Sequence, residues 1–438
     1  MKNYFKGSIG VTARQFNLWI HRYVGLGTAV FLLITALTGA LLAFETPLDN
    51  WFNRKLAYVT PQTSQPLPIA QLHDKVVTAF PQKKFSSMPV EIEPNRAVVF
   101  NVDREHGQPK NAKSVPSNMP TFQQVFVNPY TGDIIGTRDR EQWAWQNTMW
   151  KVFWLHRNLL MGDVGQTILG IVGLLWTLNC FVGLYLTLPR SGKKIANQPL
   201  LTRQRSWLQQ WSRAWTVRRF SSWFKLNYDL HHALGLWFWL LALPIAWASV
   251  GFNLKPVYQP VMALVGVQDA PKPKADASDT AATQISMADD TLAIHKYQAI
   301  DTLTAMAQRQ AQADGLHFVR PLGIRWQAED GAWQLRFKTA EDIGNGRGAS
   351  SITVNAQTGV VSKINYGARA AVVNKAEHWW YALHRAHFDN RWYPILLAVF
   401  GIATAVMCVT GVYLWWRGRQ ARQKQRAKQQ AKSLQMWA

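Results

Sequence analysis

The sequence has almost no cysteine, only Cys180 and Cys408 in 438 residues. Both lie inside apolar runs, so no disulfide framework holds the remaining chain. They read as small packing residues without a redox role. Acid is missing from three stretches. Residues 1–22, 189–226 and 417–438 contain no Asp or Glu, yet they hold 20 of the 48 Lys and Arg. The other 28 basic residues stand against all 25 acidic ones, which is close to neutral. The net charge of +23 is thus concentrated in three places rather than laid over a folded surface, and nucleic acid is not an expected partner. Dinucleotide chemistry lacks its fingerprint too, because no Gly-x-Gly-x-x-Gly follows a strand-like segment. No carboxylate or thiolate ladder runs through the apolar segments, so a transition-metal channel is also disfavoured.

Four long apolar runs are present: Val24 to Phe44, Thr167 to Leu188, Ala233 to Phe252 and Tyr393 to Trp416. None carries a charge, and each has about the 20 residues a helix needs to cross the hydrocarbon core of a bilayer. The first is too long for the apolar part of a cleaved signal. A mean hydropathy of −0.13 hides them. The three acid-free basic stretches flank these runs on alternate sides, and the positive-inside rule puts both termini in the cytoplasm of a bacterial inner-membrane protein. In the central basic stretch Trp207, Trp211 and Trp215 recur every four residues. Phe220, Trp223 and Phe224 follow, with Arg205, Arg213, Arg218 and Arg219 between. That pattern predicts a helix lying in the membrane interface, with lipid as its partner.

The two long segments outside the membrane alternate apolar and polar residues at Arg96 to Val102 and at Trp333 to Lys338, which predicts strands. Each segment also carries a similar hairpin, Val125-Phe-Val-Asn-Pro-Tyr-Thr-Gly-Asp-Ile134 and Ile352-Thr-Val-Asn-Ala-Gln-Thr-Gly-Val-Val361. Gly132 and Gly359 supply the positive-φ corner. Residues 266–290, rich in Ala, Asp, Pro and Ser, read as a flexible insert.

The chain repeats itself. Trp19-Ile-His-Arg-Tyr-Val-Gly-Leu26 matches Asp229-Leu-His-His-Ala-Leu-Gly-Leu236 at an offset of 210. Leu155-His-Arg157 matches Leu383-His-Arg385 at 228, as do Gly183 with Gly411 and Cys180 with Cys408. The unit is span, domain, span, written twice in one orientation, and such parallel repeats pack about an axis along the membrane normal. His21 and His231 are then equivalent at the cytoplasmic ends of the outbound spans. His156 and His384 are equivalent on the approach to the returning spans. Paired imidazoles facing across a helical bundle are the axial ligands of a b-type haem, so two haem b groups are expected, one per pair. Gly25 and Gly235, one turn beyond the first pair, would open a slot. Arg22, His232, Arg157 and Arg385 are candidate propionate partners. His232 beside His231 and His387 after His384 are alternative ligands. The outer pair lies about 11 and nine residues before its apolar runs, so unbroken helices would lift it roughly 13–17 Å above the hydrocarbon boundary; Met161-Gly-Asp-Val-Gly165 would reduce that by bending the second helix.

At these His-Arg motifs, the Thr-Gly hairpins and the four-span layout, residues 14–417 resemble the PepSY-associated transmembrane-helix family. The resemblance implies an α-helical polytopic membrane protein with four transmembrane helices in two parallel repeats and two α+β PepSY-like periplasmic domains. In that layout residues 1–23 are a cytoplasmic terminus, 24–44 the first span and 45–150 the first periplasmic domain. Residues 151–188 form a helical approach and the second span, 189–226 the basic cytoplasmic loop and 227–252 the third span. Residues 253–377 form the second domain, 378–416 an approach and the fourth span, and 417–438 the cytoplasmic tail. Members include iron-regulated reductases of ferric siderophores. The implied activity is therefore electron transfer from a cytoplasmic or quinol donor to a periplasmic ferric siderophore, releasing Fe(II), with no covalent catalytic residue. His21, His231, His156 and His384 would be the haem-iron ligands. Two other readings stay open: a haem-bearing subunit of another periplasmic oxidoreductase, and a PepSY-type regulatory or assembly protein without redox activity.

Overall fold

The computed structural model describes residues 2–103, 121–189, 206–219, 221–267, 292–344, 346, 348–370, 372–388 and 390–437. Most of the expected insert 266–290, with Arg205 and Phe220, lies outside the described residues. The chain opens with α1 (Lys2–Leu42), α2 (Glu45–Phe52), α3 (Arg54–Ala57) and α4 (Ile69–Ala79). Strands β1 (Ser87–Met88), β2 (Val98–Asn101), β3 (Gln124–Val127) and β4 (Ile134–Arg138) follow. Next come α5 (Thr148–Asn158), α6 (Gly162–Thr187), α7 (Trp207–Trp211), α8 (Trp223–Trp237), α9 (Trp239–Asn253), α10 (Lys255–Leu264) and α11 (Lys296–Ala313). The last elements are β5 (Phe318–Gln327), β6 (Ala332–Thr339), β7 (Ser350–Asn355), β8 (Val361–Asn365), α12 (Val372–Arg385) and α13 (Trp392–Trp437).

Two compact units emerge. The first joins Met1–Phe44, Lys151–Met262 and Asn390–Ala438; the second joins Glu45–Trp150 and Ala263–Asp389. The first unit is the helical bundle of a membrane protein. Helices α1, α6 and α13 each carry a stretch long and apolar enough to span a bilayer, at Ala13–Leu42, Gly162–Thr187 and Trp392–Ala431. The third expected span, by contrast, is not one straight helix. It is the pair α8 and α9, bent by 70°. Phe238 closes one helix by donating to Leu234 O (3.1 Å) and opens the next by accepting from Ala242 N (2.7 Å). Pro244 in the early part of α9 has no N–H to return to the preceding turn, which weakens the helix there. The Trp239 indole holds the bend by donating to the Cys180 carbonyl at 3.0 Å.

Close approaches at small residues set the packing of α1 on α13 and of α6 on α9. Gly401 faces Ala36 and Ala40, and its repeat mate Gly173 faces Ala246 and Ser249. Arg14 closes the far end of α6 by donating to the carbonyls of Leu186 (2.6 Å) and Leu188 (3.2 Å), the cation-at-C-terminus arrangement. The tryptophan segment is a short helix rather than the longer one expected. A capping box between Ser206 and Gln209 starts α7, and a 3-10 turn, Ser212–Trp215, follows it. Trp207, Trp211 and Trp215 follow one another at 5.4 Å between ring centroids, the first pair tilted and the second edge to face. They are docked on the bundle: Trp211 donates to Thr187 Oγ1 (3.2 Å), and the Trp215 carbonyl accepts from Trp237 (3.1 Å). Arg218 grips the buried Asp229 carboxylate with Nε and Nη2, both at 2.7 Å.

The second unit corrects the expectation of two separate domains, because both inter-span segments share one core. Strand β1 of the first segment pairs antiparallel with β5 of the second, giving a five-stranded sheet ordered β1-β5-β6-β7-β8. A three-stranded sheet, β2-β3-β4, lies in the same unit. Leu72, Val76, Phe100 and Val125 from one segment pack in a single cluster with Leu303, Trp333, Phe337 and Ile352 from the other. Lys296 and Tyr297 of α11 both bond Asp74 of α4. The hairpins form as expected, with Gly132 at φ 72° and Gly359 at φ 70°. The second segment enters this unit at Ala263 rather than at 253. Ahead of it, α10 turns back on the helical unit, where Tyr258 packs on Trp247 (5.5 Å).

Candidate functional site

His21 on α1 and His231 on α8 face each other inside the helical unit. Their ring centroids are 6.2 Å apart and the planes lie at 74°. Each ring is seated by the returning helix of its own repeat. His21 Nδ1 lies 3.0 Å from Asn179 Oδ1 on α6. His231 Nδ1 lies 3.1 Å from the Met407 carbonyl and 3.2 Å from Thr410 Oγ1 on α13. Residues 179 and 407 are repeat mates at the offset of 228. A Cβ on Gly183 would stand 3.1 Å from His21 Cε1, and a Cβ on Gly411 would stand 3.1 Å from His231 Cε1. The repeat is thus kept to a tenth of an ångström at the point where each ring meets its helix.

This geometry settles the protonation of His231 and favours the same form at His21. A carbonyl oxygen only accepts, so His231 carries its proton on Nδ1 and leaves a lone pair on Nε2. The Thr410 hydroxyl gives its own proton to the Val406 carbonyl (2.8 Å) and can accept alongside. With Asn179 presenting oxygen, His21 takes the same tautomer. Neither Nε2 has a hydrogen-bond partner among the described residues. A metal-ligating imidazole has its other nitrogen held in this way.

A haem would ask two imidazole nitrogens of the protein and take its other donors from the macrocycle. His21 and His231 offer two facing rings, 6.2 Å between centroids, with each Nδ1 held from behind, and that donor set suits such a group. Among the described residues no group of three or more His, Cys, Asp or Glu side chains is placed to hold a bare metal ion.

Neighbouring candidates separate. His232 bonds back to Tyr228 O (2.8 Å) and stacks on the Tyr228 ring (4.0 Å), so His231 is the residue that faces His21. Cβ atoms at Gly25 and Gly235 would lie 3.7 Å from Asn179 Nδ2 and 3.7 Å from Met407 Sδ, an ordinary contact distance, so both glycines border the residues behind the imidazoles. Arg22 is half-buried near this end of α1.

His156 sits at the opposite end of α1, and the bend at Leu159–Met161 puts it there. Leu159 and Leu160 take φ of 55° and 60°, ending α5 before α6 begins. His156 therefore reaches into α1, where Nδ1 lies 3.0 Å from the Thr35 carbonyl and 3.1 Å from Thr38 Oγ1. Thr38 passes its proton to Ile34 O (2.7 Å), and Gly39 leaves space for the ring, 3.0 Å from where its Cβ would be. This corrects the height expected from unbroken helices, since His156 packs within the apolar run rather than 13–17 Å above it. The exposed Arg157 lies over the Trp154 ring at 5.8 Å.

His384, its repeat mate, belongs to the second unit near the end of α12. Arg385 pairs with Glu45 at 3.5 Å and lies over the Tyr381 ring at 5.6 Å. His387 follows Ala386 (φ 53°), which ends α12, and stands 5.3 Å from the Tyr381 ring. Gly344 and Gly346 pack so closely on His387 that neither has room for a Cβ. Burial holds the His387 imidazole below its usual pKa, with Arg385 adding to the effect. His21, His231 and His156 thus find seats in one unit, and His384 and His387 lie in the other. Asn179, Met407, Thr410, Thr35, Thr38 and Gly39 went unnoticed in the sequence as parts of the site. Their one signal there is position: 179 and 407 each directly precede a repeated cysteine.

A family model described as the PepSY-associated TM region matches residues 18–418. The match covers most of the chain, and the chain belongs to that family. No curated protein matches it.

Proposed function

We propose that this member of the PepSY-associated TM region family is a haem-bearing inner-membrane reductase that delivers electrons to a ferric chelate of the siderophore type. One observation carries the reading: two imidazoles face each other across the bundle, 6.2 Å between ring centroids, with each Nδ1 bonded to the returning helix behind it. His21 and His231 would hold one haem b. His156, seated on α1 by Thr35 and Thr38, would be a ligand of a second. A haem held by these imidazoles would supply one-electron chemistry.

The chain supplies position and orientation. His21 and the Thr35–Gly39 seat of His156 are 14–18 residues apart on α1, about 21–27 Å along the helix axis. The two stations thus stand near opposite faces of a bilayer. The acid-free basic segments border the His21 end, so the positive-inside rule makes that end cytoplasmic. The donor is then a cytoplasmic protein or a quinol, and the acceptor is Fe(III) in the periplasm. Gaining one electron turns Fe(III) into the larger, less charged and softer Fe(II). Hard oxygen donors hold that ion less well, so the iron is released.

Pyridine haemochrome assay and visible spectra of the purified chain test this. We expect two haems per chain, with His21→Ala and His231→Ala each removing the same one. Absence of Soret absorbance overturns the reading. Reduced protein that keeps its electrons when a ferric hydroxamate is added would instead make the chain a subunit of another oxidoreductase.

A further inference from the structure

Both facing rings take a main-chain bond from the residue before the repeated cysteine, Asn179 or Met407, and they differ in the side chain that adds to it. On His231 the addition is the Thr410 hydroxyl at 3.2 Å. On His21 it is a carboxamide oxygen, Asn179 Oδ1, at 3.0 Å. The residue matching Thr410 in the first repeat is Val182, which has no hydroxyl. A carboxamide has one accepting end and one donating end. With oxygen toward the ring, Nδ1 keeps the proton and Nε2 is free to ligate. The acceptor also tunes the ligand, because an imidazole whose N–H is drawn toward an oxygen donates more strongly through its other nitrogen.

We infer that the Asn179 side chain is a positioning residue of the His21–His231 site, setting the donor strength of His21 through an added contact that Thr410 supplies in the second repeat. The inference rests on the haem reading above.

The test compares the wild-type chain with Asn179→Leu, Asn179→Thr, Asn179→Asp and Met407→Leu in detergent. Three readouts are taken: haem per chain, potentiometric titration of each haem, and the low-temperature EPR spectrum of the oxidised protein. Asn179→Leu removes the side-chain acceptor and keeps the main-chain one, so haem should stay bound while its midpoint potential rises. Asn179→Thr, which imitates Thr410, should restore wild-type values. Asn179→Asp draws the proton harder and should lower the same potential. Met407→Leu keeps the carbonyl and should match wild type in all three measurements. Unmoved potentials in both Asn179→Leu and Asn179→Asp overturn the inference while leaving the haem reading intact, as does a Met407→Leu shift equal to that of Asn179→Leu. A wild-type chain without haem overturns the haem reading, and this inference with it.

Discussion

Gly401 of α13 and Ala36 of α1 meet backbone to backbone: a Cβ on residue 401 would stand 2.6 Å from the Ala36 carbonyl oxygen. The repeat mate is looser. A Cβ on Gly173 would meet Ser249 at 3.0 Å and the Ala246 carbonyl at 3.3 Å. A carbonyl at 2.6 Å must be pushed bodily away, whereas the contacts at Gly173, 3.0–3.3 Å, need a shift of only a few tenths of an ångström. Gly401→Ala should therefore destabilise the bundle by about 1–3 kcal/mol, the range for overpacking. Gly173→Ala should cost less than half as much. Thermal unfolding in a single detergent measures both, and equal losses would contradict the packing described.

His156 has two acceptors where one would serve, the Thr35 carbonyl and the Thr38 hydroxyl. Thr38→Val removes only the second and leaves the proton on Nδ1. It should keep full haem content, with a stability change of about 1 kcal/mol or less. Gly39→Val puts a branched side chain where the ring lies and should displace it. Haem content of the two variants, assayed side by side, distinguishes them: Gly39→Val should lose the haem that His156→Ala loses.

The four apolar runs and the repeated histidines were legible because burial in a bilayer and repetition both leave linear marks. The bend at Phe238 was not, since Pro244 alone does not say whether a helix kinks or runs on. The shared core of the second unit was hidden for another reason. β1 is two residues long, and its pairing with β5 joins positions more than two hundred residues apart. Alternation marks a strand without naming its partner. The seats of the imidazoles were equally hidden. Asn179 lies 158 residues from His21, and Thr38 lies 118 from His156. Nothing in a single sequence distinguishes such residues from others on an apolar helix.

Arg138 is a deeply placed cation of an ion pair in the second unit, its side chain only 5% exposed. It reaches Asp49 at 2.9 Å, donates to Gln124 Oε1 at 2.8 Å and lies over the Phe126 ring at 5.8 Å. Removing the carboxylate leaves a buried guanidinium without its counter-charge, at a cost of about 3 kcal/mol. Asp49→Ala should therefore destabilise this unit strongly. Asp49→Ala combined with Arg138→Met should recover part of the loss, because the stranded charge is gone. Limited proteolysis of the full chain, scored at the strands around Arg138, reads the order. A double variant worse than the single would show that the arginine is held by its other contacts.

His73 should make the second unit sensitive to mild acid. It lies on α4, 2% exposed, and Nε2 donates to the Phe85 carbonyl at 2.7 Å. The proton is therefore on Nε2, and the buried Nδ1 has no hydrogen-bond partner among the described residues. Charging the ring would place a cation against Phe100, whose ring is 5.8 Å away. Burial is the main reason its pKa falls below 6.5; the Phe85 bond opposes the fall, Lys296 adds to it, and Asp74 and Asp103 oppose it. A histidine depressed in the folded state binds fewer protons than the unfolded chain between the two pKa values. Stability is then complete above about pH 6.5 and is lost as pH falls from there toward the folded value, by about 1.4 kcal/mol per unit of separation. Asp74 does not blur this window. Burial pushes its carboxyl up, but Lys296 and Tyr297 outweigh that and hold it below 3.8, so it stays ionised throughout. Hydrogen exchange of the full chain at pH 7.5, 6.5 and 5.5, corrected for intrinsic rates, should show opening of α4 and β2–β3 increasing at the lowest pH. His73→Gln keeps a donor for the Phe85 carbonyl but cannot titrate, so its protection should be flat across the series. The same acid-dependent slope in His73→Gln would place the sensitivity elsewhere.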